Sequence, residues 1–319
     1  MKIVYSIFCA FIVFFNVRGQ EHFVFKPKWN IGEQKKIVTT NIETTVKDGE
    51  VISIDTIVLP SSIKVDRVDA DYYYITRTYE NIVMRTVVKE MESLGGVWPK
   101  AGSLTLQYSI NKQTGVADLI NWNETKDFIE SQLVQLVSYA SSKYPDAEDF
   151  LKLSIESVMS LLKDKPAVQS YFNDELTYFL APFQESLSLK DTVYKYEKMP
   201  NPMYADDSID VKWKGYIKEI KGNNLVEINF DSEVDVKQLL SGIKQAMMDM
   251  FVNMGLSKKD MEEGLKEFNQ LEASFTDKTR VIFNTTSNWP LKIVTTNIIS
   301  TSGKGDTDTF SSIRTTIIN

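Results

Sequence analysis

The sequence predicts an α+β protein whose strands form an antiparallel sheet. Hairpin patterns stand both before and after a helical middle, and strands do not alternate with helices as they do in parallel sheets. The heptapeptide KIVTTNI occurs twice, at 36–42 and 292–298. Each copy follows a tryptophan, Trp29 or Trp289, and precedes a glycine-bearing turn with a returning strand. Strands rich in Thr and Ile draw on few residue types, so chance is the alternative, but the repeat predicts a duplicated β unit.

The N-terminal strands are predicted from β-branched runs and from the turns between them. Lys47-Asp48-Gly49-Glu50 is a hairpin turn signal, Pro60 ends the strand that returns from it, and Asp69-Ala70-Asp71 and Gly115 mark the next two turns. A short helix and a Gly/Pro loop over 95–102 precede the third hairpin. The predicted strands span 36–46, 51–59, 63–68, 72–79, 104–110 and 116–121.

The middle of the chain and part of its C-terminal half are predicted to be helical, because apolar residues recur there with a period of 3.6. The predicted helices span 123–140, 146–162, 168–180, 236–254 and 258–269. The later strands are predicted at 209–220, 225–230, 274–284, 291–301 and 307–318. Met199-Pro200-Asn201-Pro202 is the candidate linker, dividing residues 20–198 from residues 203–319 as two halves packed into one unit.

The N-terminal segment has the three parts of a secretory signal. Lys2 is followed by an apolar run over 3–15, and Val17 and Gly19 place small side chains before a cut between Gly19 and Gln20. The run is shorter than the ~20 apolar residues that a spanning helix needs. The sequence therefore predicts an exported protein, periplasmic or extracellular and bacterial, with residues 1–19 removed.

Composition excludes several classes of chemistry. The single cysteine, Cys9, lies within the predicted signal and follows Phe8, where a lipidation signal needs a small residue. The processed chain would therefore have no disulfide. The only histidine, His22, lies near the new N-terminus, which argues against His-based triads and zinc sites. The net charge of −7 disfavours nucleic acid as a partner.

No catalytic motif stands out. S-x-x-K occurs at Ser109, Ser160 and Ser241, but no K-T-G accompanies it. The acidic pairs Asp206-Asp207 and Asp306-Thr307-Asp308 are predicted in a linker and a turn, where carboxylates serve solvation. We therefore expect no enzyme, no metal and no cofactor.

Two clusters are candidates for binding. Tyr72-Tyr73-Tyr74 with Tyr79 would offer stacking surfaces for sugar rings, although strand alternation divides them between two faces. The second cluster is an apolar stripe on the predicted helix 236–254. Methionine-rich stripes recur at adaptable apolar binding surfaces, although most such stripes are plain core. The stripe, the candidate ligand site, consists of Ile243, Met247, Met250, Phe251 and Met254.

One resemblance follows from the opening of the processed chain. Trp29-Asn30-Ile31-Gly32-Glu33, leading into Thr-rich strands with inserted helices, resembles uncharacterised bacterial envelope proteins. Their shape is similar to the lipoprotein-carrier (LolA-like) half-barrels. The resemblance implies a curved, open half-barrel sheet with helices packed on its concave face, and an acyl chain or other lipid as ligand.

Two hypotheses about function follow. The first is a soluble envelope protein that binds an apolar or acyl-chain ligand without catalysis, and the second is a structural or protein-interaction protein with no small ligand. A cavity lined by the stripe would favour the first. Desolvated carboxylates or lysines converging in a cleft would favour an enzyme instead.

Overall fold

The structure is a computed structural model built around a single large antiparallel sheet. It describes residues 22–23, 25–80, 102–143, 159, 162–189, 191–201, 204–222, 224–253, 257, 265, 272–303 and 306–319. The predicted signal and its cleavage site at Gly19 and Gln20 lie outside these residues. So do the short helix predicted before the Gly/Pro loop and the helices predicted at 146–162 and 258–269, apart from Met159, Leu162 and Leu265.

The described strands and helices follow one another in chain order. The strands are β1 His22–Phe23, β2 Gln34–Lys47, β3 Glu50–Val68, β4 Tyr72–Tyr79, β5 Leu104–Asn111, β6 Ala117–Leu119, β7 Leu187–Ser188, β8 Val193–Asn201, β9 Tyr204–Lys221, β10 Leu225–Val234, β11 Glu272–Asn284, β12 Trp289–Gly303 and β13 Asp306–Ile318. The helices are α1 Trp122–Lys143, α2 Lys165–Gln184 and α3 Val236–Asn253.

Eleven of these strands form one open antiparallel sheet. Its order is β6-β5-β4-β3-β2-β13-β12-β11-β10-β9-β8, and β1 and β7 form a separate two-stranded pair. Every neighbour in the large sheet is also a neighbour in sequence except β2 and β13, which pair from Ile37–Ile318 to Lys47–Asp308. The prediction of an antiparallel α+β fold is confirmed, and the two halves of the chain share this sheet.

The segment predicted as a linker belongs to a hairpin. Met199, Pro200 and Asn201 end β8, which pairs with β9. The predicted boundary between residues 198 and 203 therefore falls within the β8–β9 pair, and the division of the chain into two halves stays a prediction. Strand β8 itself was not predicted, because Tyr and Lys alternate along it without an apolar face.

In the first hairpin, the predicted turn is correct, but the predicted end of the returning strand is wrong. Asp48 and Gly49 both have positive φ (51° and 83°), as the favoured two-residue hairpin turn requires. Pro60, predicted to end a strand, instead lies within β3. Its carbonyl accepts a hydrogen bond from Glu80 N at 3.3 Å, and Glu80 lies directly beyond the end of β4. The N–H that proline lacks would face the same side, beyond the last paired residue of β4, so this strand tolerates a proline here.

The apolar core lies on one face of the sheet. Leu104, Leu106, Tyr108 and Ile110 alternate along β5 and are essentially inaccessible. Helix α1 contacts β5, and α2 contacts α1, β6, β11 and β12. Each fully buried Leu or Ile contributes roughly 1.5–3 kcal/mol relative to exposure.

A pair of stacked tryptophans joins the two ends of the chain. The rings of Trp29 and Trp289 lie 4.7 Å apart with 28° between their planes. Trp29 Nε1 donates to the Asn288 carbonyl at 3.0 Å, and Trp289 Nε1 donates to Glu33 Oε1 at 2.7 Å. The residues that precede the two KIVTTNI copies therefore meet in the core.

Both KIVTTNI copies are strands in antiparallel ladders, one in β2 and one in β12. Ile37 and Thr39 are buried in the first copy, as are Ile293 and Thr295 in the second, while the residues between them are more exposed. Thr39 Oγ1 bonds Thr316 Oγ1 at 3.1 Å, and Thr295 Oγ1 bonds Thr279 Oγ1 at 3.0 Å. The two copies thus orient equivalent residues toward the same face of the sheet.

Candidate ligand-binding cleft

The apolar stripe lies on α3, a helix that contacts β9 and β11. Ile243, Met247 and Phe251 are half-buried there. Met250 is in the helix but its side chain is not described, and Met254 lies outside the described residues. The stripe as a binding site therefore stays a prediction.

A different cleft, of about 640 Å³, lies between α2 and strands β9–β13. Its apolar wall is formed by Pro166, Val211, Trp213, Val234 and Phe275. Its polar floor is formed by Ser232, Asp277, Thr295, Asn297 and Arg314. None of the stripe residues that the structure describes lines it.

The sheet register produces this polar floor. Asp277 lies directly opposite Ser232 on one side and Asn297 on the other, and Thr295 lies opposite Arg314. Directly opposed residues point to the same face of a sheet, as do residues two apart on one strand. Four neighbouring strands therefore direct polar side chains under α2.

Asp277 is the central group of the floor. Its Oδ2 accepts from Tyr178 Oη on α2 at 2.5 Å and from Ser232 Oγ at 3.0 Å. Its Oδ1 is buried and has no hydrogen-bond partner among the described residues. Burial raises the pKa of this carboxyl, against the opposing effect of the two hydrogen bonds and of Arg314, while nearby Asp231 raises it further.

Two donors of the cleft lack partners among the described residues. Trp213 Nε1 is buried without a hydrogen bond, although its ring lies 5.8 Å from that of Tyr178. Arg314 forms no ion pair within 4.0 Å in the described part of the chain, and its charge acts on Asp277 from a distance. The floor therefore has hydrogen-bonding capacity that the protein itself does not use.

The charged residues at the rim are paired. Lys165 Nζ lies 2.7 Å from Asp118 Oδ1, and Glu197 pairs with Lys195. Asp164 caps α2 by accepting from Ala167 N at 3.0 Å, which places Lys165 and Pro166 at the first turn beside the cleft. Arg314 is thus the cation of the cleft that remains available to a ligand.

Sequence reasoning missed this cleft because its members are far apart in the chain. Tyr178 and Asp277 are separated by 99 positions, and Ser232 and Asp277 by 45. None of these residues belongs to a motif. An aspartate alternating with apolar and Thr residues in the strand 274–284 was the one available signal, since charged residues rarely face a core.

The tyrosine cluster divides between two faces, as alternation predicted. Tyr73 is buried, with its ring 5.2 Å from that of Trp29 and its hydroxyl donating to the Pro27 carbonyl at 2.8 Å. Tyr74 lies on the other face beneath Arg67, whose guanidinium carbon is 3.7 Å from the ring centre. The structure does not bring these tyrosines into one stacking surface.

A second buried carboxylate, Glu227 on β10, is fully paired. Lys218 Nζ bonds its Oε1 at 3.0 Å and Lys221 Nζ bonds its Oε2 at 2.5 Å. Burial acts to raise its pKa, but the two ammonium groups prevail and hold the pKa at about 2. Glu227 is therefore a buried carboxylate whose two oxygens are both ion-paired.

Within the described chain, no helix is long and apolar enough to span a bilayer, and no cluster of three His, Cys, Asp or Glu residues is arranged to hold a metal ion.

Comparison with known proteins identifies no family. No protein-family model and no curated protein sequence matches the chain. Among solved structures it is similar to Ail, the attachment invasion locus protein of Yersinia pestis, with 5% identity and a TM-score of 0.14 over 91% of this chain and 100% of that one. A superposition of that quality does not show a shared fold.

Proposed function

We propose that this protein binds a small apolar or acyl-chain ligand, without catalysis, in the cleft between α2 and strands β9–β13. The principal support is that two buried polar atoms, Trp213 Nε1 and Asp277 Oδ1, lack partners beside an apolar wall. The volume of about 640 Å³ lies in the range of ligand pockets, about 300–1,000 Å³.

Energetics favour a ligand over an empty cleft. A buried donor or acceptor without a partner costs about 1–3 kcal/mol. Buried polar groups are nearly always satisfied, and exceptions require an explanation. A ligand with an apolar body and a polar end would satisfy both atoms while covering Trp213 and Phe275.

The proposal places the protein in a bacterial envelope, exported by residues 1–19. N-terminal sequencing of the protein recovered from its host should begin at Gln20. Recovery of an intact Met1 on envelope-located protein would rule out the signal.

The proposal also includes a curved sheet with helices on its concave face, built from a duplicated β unit. The support for the duplication is the matching burial of the two KIVTTNI copies in β2 and β12. Small-angle scattering would separate a curved sheet from a flat one by the maximum dimension of the particle.

Native mass spectrometry on protein purified from its own host tests the function directly. A co-purifying lipid or other amphipathic molecule is expected, and it should be absent from the variant Trp213→Ala. The exposed residue Tyr196 supplies a matched aromatic control, since Tyr196→Ala should keep the ligand. An empty wild-type protein that also takes up no fluorescent acyl probe would refute the proposal.

The α3 stripe is a second place where an acyl chain would lie. If Met250 lines such a groove, Met250→Ala should weaken uptake of a fluorescent acyl probe and cost less than the 2–5 kcal/mol typical of a packed core. A larger cost with unchanged uptake would assign the stripe to the core.

A structural or protein-interaction role is the alternative, and an exposed apolar patch favours it. Val38, Ile42, Val58, Ile313 and Ile317 lie on the sheet face opposite the core, each 37–43% exposed, with Ile42 opposite Ile313 and Val38 opposite Ile317. Contiguous apolar surface of this kind marks interaction sites. Self-association that Ile313→Asp abolishes, together with no ligand uptake, would favour this alternative.

A catalytic role is the third hypothesis, because Asp277 is a desolvated carboxyl in a cleft. The other carboxylates lining the cleft, Asp118 and Glu197, are ion-paired to lysines at the rim. Conversion of a bound ligand by the wild type but not by Asp277→Asn would establish an enzyme.

A further inference from the structure

We infer that the ligand of this cleft carries a carboxylate head, which the guanidinium of Arg314 binds. This inference rests on the proposed function, since it specifies the polar end of the same ligand. In this inference, Arg314 binds the head of the ligand and the apolar wall contacts its hydrocarbon chain.

Arg314 is the residue that would bind the head of the ligand. It lies on β13 opposite Thr295 on one side and Asn41 on the other, so its near neighbours in the sheet are neutral. Asn41 is already engaged, because its Oδ1 accepts from Ser312 Oγ at 2.7 Å. The planar guanidinium offers five N–H donors in a fork that matches a carboxylate in two parallel hydrogen bonds.

The cleft also contains Trp213 Nε1 and Asp277 Oδ1, which have no hydrogen-bond partner among the described residues. An indole N–H can only donate, so Trp213 Nε1 requires an acceptor. Oδ2 of Asp277 already accepts two hydrogen bonds, from Tyr178 and Ser232, which leaves Oδ1 as the position for a proton when the carboxyl is neutral. Burial favours that neutral form. In that form Oδ1 donates, as Arg314 and Trp213 Nε1 do.

Only an acceptor-rich head matches such a floor. A cationic head would be repelled by the charge of Arg314. A hydroxyl head would leave the guanidinium unpaired in a partly desolvated site, which is costly. Trp213, Val211, Val234 and Phe275 form an apolar wall beside the floor, along which a hydrocarbon chain attached to the head can lie.

The test compares three ligands of equal chain length on the full protein. Binding of dodecanoate, dodecanol and dodecyltrimethylammonium is measured by calorimetry below their aggregation concentrations. Dodecanoate should bind about 10- to 100-fold more tightly than dodecanol, as a charge-assisted bidentate pair provides. The trimethylammonium ligand should bind most weakly.

Substitutions test whether Arg314 causes the preference for dodecanoate over dodecanol. Arg314→Met should reduce dodecanoate to the affinity of dodecanol and leave dodecanol unchanged. Arg314→Lys retains the charge without the fork, so it should retain part of the preference, and it serves if the methionine variant does not fold. Lys165→Met is the matched control, because Lys165 lines the same cleft but is already paired with Asp118, and it should keep the full preference.

The outcomes separate the two proposals. If all three ligands bind alike, or if Arg314→Met weakens dodecanol as much as dodecanoate, the carboxylate head is refuted and the binding function stands. If none of the three binds to the wild type, the proposed function fails together with the inference. A preference that Lys165→Met removes and Arg314→Met does not would also overturn the assignment.

Discussion

The same face of one sheet has two different characters at its two ends. Along β5 and β6 the inward residues are apolar and closely covered, as Leu106 and Tyr108 show. Along β10–β13 the inward positions under α2 include Asp277, Asn297 and Arg314, and a cleft remains between helix and sheet. The first region provides stability, and the second retains buried polar atoms without hydrogen-bond partners among the described residues, a cost that water or a bound molecule would offset.

The largest expected effect is on stability, for a substitution in the apolar end of the sheet. Leu106→Ala should lower the free energy of unfolding by about 2–5 kcal/mol, because it leaves a cavity among residues that cannot collapse into it. Chemical denaturation measures this loss. Gln107→Ala, the exposed neighbour on the other face, should change stability by less than about 0.5 kcal/mol. A small effect at Leu106 would mean that this end is as loosely packed as the cleft.

The next prediction compares a satisfied buried carboxylate with the unsatisfied one. Glu227→Gln should cost about 1–3 kcal/mol near neutral pH, because two charge-assisted hydrogen bonds to Lys218 and Lys221 are lost. The folded-state pKa of about 2 lies below the ordinary 4.5, so this contribution is present above pH 4.5 and is lost as the pH falls toward 2. Denaturation of the variant and the wild type should therefore converge in acid. Curves that stay parallel would show that the lysines do not stabilise the carboxylate.

Asp277 should behave in the opposite way. Its folded-state pKa is raised, so its contribution to stability is greatest below the ordinary value of 3.8 and is lost as the pH rises through the folded-state pKa. Asp277→Asn keeps an oxygen for Tyr178 and Ser232 and removes a charge from a desolvated site. Near neutral pH we expect it to change stability by no more than about 1 kcal/mol, in the stabilising direction. A clear loss of stability would show that Oδ1 has a structural partner.

The smallest expected effect is on the pH dependence of binding. The charged and titratable groups around the cleft are Asp277, Tyr178, Asp231 and Arg314, with the rim pairs of Lys165 and Glu197. Since a neutral Asp277 donates to the ligand head and a charged one repels it, affinity for dodecanoate should fall as the pH rises through the pKa of this carboxyl. Asp277→Asn should remove this dependence, and dodecanol should show little change with pH in either protein. A profile that Asp277→Asn leaves unchanged would assign the dependence to another group.

Local sequence signals predicted much of the sheet. The hairpin at Asp48 and Gly49 followed from residues that tolerate positive φ, and β-branched runs marked the strands on either side of it. These signals act over a few residues, so they need no knowledge of the rest of the chain. Strand β8 escaped prediction because an exposed edge strand has no apolar face to reveal it.

The cleft could not be predicted in the same way. Whether Asp277 is solvated or buried depends on Tyr178, which reaches it from a helix 99 positions earlier, and on the covering that α2 provides. The predicted stripe on α3 was a true helical pattern, but a pattern on one helix does not say what lies opposite. Its function as a ligand site stays a prediction.

The sequence by itself determined the antiparallel class, the hairpin turn at Asp48 and Gly49 and the helices that the structure describes, because backbone preference and apolar period are properties of neighbouring residues. Only the tertiary structure decided that β2 pairs with β13, that Trp29 stacks on Trp289, and that Asp277, Trp213 and Arg314 share one cleft. Those contacts join residues that are distant in the chain. Their free energy depends on the registers of successive strands and on burial by a helix, which no local segment specifies.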